Sequence, residues 1–163
     1  MIGIDPISAI VSGIEAISYI RFGKIEEKAL LEELLEELKF NLKIIKDDYI
    51  KNKVPIAKII QELKITKLKS AENKRKRKKF DFNKIRPGQI HKSCFVSEYQ
   101  YSKYSDFDTE KVLLKLLDHI TEFKSKKRMY FSRNNWSKKI NPKSRMNTIE
   151  QLFILLANHL SYN

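Results

Sequence analysis

Residues 24–52 read KIEEKALLEELLEELKFNLKIIKDDYIKN, and this stretch decides the fold class. Leu31, Leu35, Leu38, Leu42, Ile45 and Tyr49 recur at alternating steps of four and three, a heptad seam along one helix. Leu30, Leu34 and Ile44 widen the stripe beyond what one neighbour can cover, so the helix is expected to pack on two others within the chain. Glu26, Glu27, Glu32, Glu33, Glu36 and Glu37 fill the polar face early, and Lys39, Lys43 and Lys46 follow. Acid first and base last complements the helix dipole, and Glu36 can reach Lys39 one turn on. The alternative use of the seam is a coiled coil with a second copy or a protein partner.

Further helices lie on both sides of this one. Toward the amino terminus, Ile7, Ile10, Val11, Ile14 and Ile17 predict an amphipathic helix over 6–20, with Asp5 as cap and Pro6 in the first turn. Asp5 and Glu15 interrupt this apolar run and no Lys or Arg precedes Arg21, so it reads as mature structure rather than a secretory leader. No apolar stretch reaches transmembrane length, and no integral membrane association is expected. Toward the carboxyl terminus, Pro55 opens a helix with Ile56, Ile59, Ile60 and Leu63 on its inner face. Its short connection makes it antiparallel to the heptad helix. Asp108 caps another, with Val112, Leu113, Leu116, Leu117, Ile120 and Phe123 inward. Asn141-Pro142 starts the last, with Met146, Ile149, Leu152, Phe153, Leu156 and Leu160 inward. The expectation is an all-α fold, a four- to five-helix bundle in one domain over 1–163. An exposed, partly irregular basic and aromatic connector spans about 66–107.

The chain has 163 residues, 33 Lys and Arg against 20 Asp and Glu, and a formal charge of +13. That charge is not evenly placed. Residues 1–50 carry a net −4, residues 51–105 a net +12 and residues 106–163 a net +5. A concentrated cationic surface attracts polyanions. Two segments carry most of it. The first is the run Lys74, Arg75, Lys76, Arg77, Lys78 and Lys79. If all six met phosphates, the log–log salt slope would be about −4 for single strands and about −5 for B-DNA. The second, at 124–145, interleaves Arg128, Arg133, Lys138, Lys139 and Arg145 with Tyr130, Phe131 and Trp136. Rings that stack on bases, beside cations that hold the backbone, suit single strands and RNA loops.

The leading expectation is a non-catalytic nucleic-acid-binding protein, or a small subunit of a nucleoprotein complex. RNA or single-stranded DNA is slightly favoured. The first alternative is an adaptor that docks a protein partner or a second copy through the helix at 24–52. The second is a small ribonuclease or toxin-like effector that uses His119 or His159, which flank their apolar stripes and could meet between packed helices. The spacing that marks the all-helical HEPN ribonucleases, Arg followed four to six residues later by His on one helix, is absent. So are Gly-rich phosphate loops and HExxH pairs, and no cofactor is expected. One cysteine, Cys94, excludes an intramolecular disulfide and fits a reducing cytoplasm. In a eukaryote, 74–79 could also serve as a nuclear address.

Overall fold

The computed structural model describes residues 25–127 and 141–162. Among them are six α-helices: α1 (Ile25–Lys43), α2 (Ile56–Glu62), α3 (Thr66–Lys76), α4 (Glu98–Tyr104), α5 (Thr109–Ser125) and α6 (Pro142–Ser161). The chain is all-α, and the described residues hold no strand beyond an isolated bridge between Gln89 and Asp108. No helix among them is long and apolar enough to cross a membrane. The helix expected at 6–20 lies outside the described residues, as do Arg128, Arg133, Trp136, Lys138 and Lys139.

The heptad helix forms as its spacing requires, and then changes pitch. From Ile44 to Lys51 the backbone is π-helical, and Asn52 N–H reaches back five residues to Asp47 O at 2.9 Å. The wider turn brings successive side chains closer in angle, and neighbouring Ile44 and Ile45 are both buried. Leu31, Leu35, Leu38, Leu42 and Ile45 are only 2–3% exposed within the single chain. The seam is therefore occupied intramolecularly.

Two antiparallel pairings organise the core. Asn41 on α1 pairs with the Lys64 backbone in both directions: its Nδ2 donates to Lys64 O at 2.6 Å, and its Oδ1 accepts from Lys64 N–H at 2.8 Å. Four residues earlier, Glu37 accepts from the N–H groups of Lys67 and Leu68 at 2.8 and 3.0 Å. As α1 is followed backward, α3 runs forward. Thr109 of α5 meets His159 of α6, and His119 meets Arg145, which makes α5 and α6 antiparallel as well. Every inward residue expected for α5 and α6 is buried.

Glu37 was expected on the polar face, yet it is buried. The reason lies in α3, whose own cap position, Ile65, offers no side-chain acceptor. The first N–H groups of a helix need partners, and a carboxylate also suits the positive end of the dipole. Glu37 supplies both from a different helix. Glu37→Ala should destabilise the protein by about 3 kcal/mol, because two N–H groups lose a charged acceptor. Glu37→Gln, which keeps one carbonyl oxygen, should fall between wild type and alanine. Urea unfolding midpoints at constant m-value measure both.

The middle segment departs most from expectation. Residues 66–107 are not a loose connector, since they contain α3, α4 and 3-10 turns at Phe82–Lys84 and Lys92–Cys94. Phe80, Phe82, Ile85, Ile90, Cys94, Gln100 and Tyr104 are buried. Asp108 holds this segment to the start of α5, accepting from Lys111 N–H at 2.9 Å and from Asn83 Nδ2 at 3.4 Å. Aromatic residues scattered without helical period can each fill a gap in a core. A sequence without helical period predicts the irregular connector instead.

Candidate nucleic-acid interface

The basic run starts inside α3 and leaves it through a tight reversal. Lys79 N–H bonds to Lys74 O and Lys78 N–H to Arg75 O, both at 2.8 Å, the pattern of a Schellman turn. The residue that turns the chain in such a motif takes left-handed angles, where glycine is favoured. Here it is Lys78, with φ of 58°. A side chain at this position costs about 1 kcal/mol relative to glycine.

The six cations are not equivalent. Arg75 is half-buried and paired with Glu110 on α5 at 3.0 Å, and Lys76 is paired with Glu72 at 3.3 Å. Lys74, Arg77 and Lys79 line a cleft of about 320 Å³ together with Glu26 and Glu27, at the acidic start of α1. Lys84 reaches Glu27 at 3.4 Å, and Lys67 pairs with Glu33 at 2.7 Å. The antiparallel docking of α3 on α1 thus lays the basic end of one helix beside the acidic end of the other. It corrects the expectation that all six cations of 74–79 face solvent alike. Arg77, Lys78 and Lys79 are exposed and Lys74 is half-buried.

Arg145 is the one described candidate from the second basic segment. Its side chain is 23% exposed, with Nη2 3.6 Å from a Glu122 oxygen and Nη1 2.7 Å from His119 Nδ1. A guanidinium only donates, so His119 Nδ1 accepts and the ring proton sits on Nε2, a buried atom with no hydrogen-bond partner among the described residues. Burial, with the nearby positive charges of Arg145 and Lys115, lowers the His119 pKa to about 4. Arg145 is engaged with the fold rather than presented outward.

His159 is 2% exposed, with Nε2 2.9 Å from Thr109 Oγ1. The threonine hydroxyl donates to Arg86 O at 2.7 Å, so it accepts from His159 Nε2–H. Burial first, and Arg86 second, lower this pKa to about 4 as well. The two histidines have different partners and do not meet, so the acid–base pair imagined for a ribonuclease is not assembled. Burial pushes the Cys94 thiol up, as expected for an inert packing residue.

A cavity of about 800 Å³ lies between the π-helical segment and the α2–α3 connection. Its wall mixes Asp47, Asp48 and Glu62 with Lys43, Lys64 and Lys124, so it has no net cationic field to draw a polyanion. Sequence reasoning missed α4 and its exposed Tyr99. The signal was present as Ser97-x-x-Gln100, the spacing of a capping box. Ser97 Oγ accepts from Gln100 N–H at 3.1 Å, and Gln100 Oε1 accepts from Val96 N–H at 2.8 Å. Comparison with family models, curated proteins and solved structures returns no match.

Proposed function

We propose that the protein is a non-catalytic nucleic-acid-binding protein, or a small subunit of a nucleoprotein complex. It would hold the phosphate backbone without sequence preference, with RNA or single-stranded DNA favoured. The observation that carries this reading is the turn at Arg77–Lys79. Three successive cations stand in solvent there, and one of them occupies a backbone position better suited to glycine. Strain retained at an exposed site points to a use for the side chain. The ion pairs of Arg75 and Lys76 reduce the footprint from six cations to three or four. The log–log salt slope for single strands is then about −2 to −3.

Fluorescence anisotropy against a labelled single-stranded oligonucleotide at two salt concentrations tests this. The Arg77→Ser, Lys78→Ser, Lys79→Ser triple variant should flatten the slope by about 2 and weaken every sequence alike. Lys78→Gly should bind more weakly while gaining about 0.5–1 kcal/mol in stability. Wild-type affinity and slope in the triple variant would sink the reading.

A further inference from the structure

A shallow groove of about 350 Å³ runs between α4 and the first half of α6. Its α4 wall presents Tyr99, which is 73% exposed, beside Val96 at 55%. Large apolar side chains left this open in a small domain ask for a ligand. Lys103 stands over the same wall, 5.8 Å from the Tyr99 ring centre and 5.2 Å from that of Tyr104. The α6 wall carries Asn147 and Gln151, one helical turn apart. Neither side-chain amide makes a hydrogen bond among the described residues. The two walls are held in register by Gln100, which is buried and donates through Nε2 to Gln151 O at 3.1 Å.

These groups are what an unpaired nucleotide needs. A base has a flat face that stacks on an aromatic ring, and an edge of donors and acceptors that amide side chains match in pairs. Its phosphate calls for a cation. The groove's volume is at the small end of ligand pockets, which suits one base rather than a duplex. We infer that the groove between α4 and α6 holds a single unpaired nucleobase, stacked on Tyr99, with its edge on Asn147 and Gln151 and its phosphate on Lys103. The inference rests on the polyanion reading above and deepens it, because it explains why single strands would be preferred.

The test uses two labelled probes of equal length, an adenine oligodeoxynucleotide and an abasic oligomer with the same phosphate backbone. The 163-residue chain should bind the adenine probe at least about fivefold more tightly at equal salt. Tyr99→Ala should bring that ratio close to one and leave abasic affinity unchanged, whereas Tyr99→Phe should keep the ratio. Tyr99 is exposed, so neither variant threatens the fold. The Arg77, Lys78, Lys79 triple serine variant should weaken both probes and preserve their ratio. Equal binding of the two probes by wild type, or a ratio indifferent to Tyr99→Ala, would overturn the base site and leave the backbone reading standing. Failure of both probes to bind would overturn the two together.

Discussion

Replacing Leu35 and Leu42 together by lysine is expected to unfold the chain rather than dissociate a dimer. Both side chains are 3% exposed and sit in the one core that the described helices share. Each substitution removes a buried leucine and forces an ammonium group into an apolar site with no partner. The first effect alone costs about 2–5 kcal/mol, and the second adds desolvation. At two sites the first effect alone totals about 4–10 kcal/mol, already comparable with the stability of about 5–15 kcal/mol typical of a whole domain. Far-UV circular dichroism should lose its helical signal, and sedimentation should show no folded monomer. A variant that kept its helix content while changing its mass in solution would overturn this. The heptad seam would then be an interface, and the adaptor alternative would regain its surface.

Acidification is expected to destabilise the protein between pH 6.5 and 4, through His159 and His119. The His159 pKa is about 4 in the fold against 6.5 in the open chain. Between those values the unfolded state binds a proton that the folded state refuses, so stability rises with pH across the window and is complete above it. The gap corresponds to about 3 kcal/mol, fully lost below pH 4. The structural reason is direct: His159 is enclosed, with Arg86 nearby and Asp108 opposing it only weakly. His119, lowered to about 4 by burial and by the charges of Arg145 and Lys115, acts in the same direction over the same window. Glu150 works the other way, since burial holds its carboxyl above the ordinary 4.5. His159→Gln keeps an uncharged donor for Thr109 and isolates the histidine contribution. Urea midpoints of this variant should depend less steeply on pH than those of wild type between 6.5 and 4. Equal steepness would show that His159 is not the group responsible.

Legibility followed periodicity. The inward faces of α5 and α6 stood out because each repeats apolar residues at helical spacing and starts at a readable cap, Asp108 or Asn141, whose side chains do cap. α3 did not stand out. TKLKSAENKRK buries only Leu68 and Ala71, too few to mark a face. Its helix is held by Glu37 at one end and by packing on α1 along its length. α4 is short, and its stabilising contact, Gln100 to the α6 backbone, spans 51 residues of sequence. The exposed candidates fared likewise: the basic run could be seen, but not which of its members would be paired.

The sequence by itself determined that the chain is helical, where its strongest helices lie, and that its cations follow its acids. These are properties of neighbours in the chain, set by side-chain period and by residue type. Only the tertiary structure decided which cations remain available. Glu26 and Glu27 are some 50 residues from the basic turn in sequence and face it in space because α3 docks antiparallel on α1. An ion pair depends on distance in space, and no local pattern records that distance. The same holds for the groove at Tyr99, whose two walls come from α4 and α6 and become one site only when the core closes.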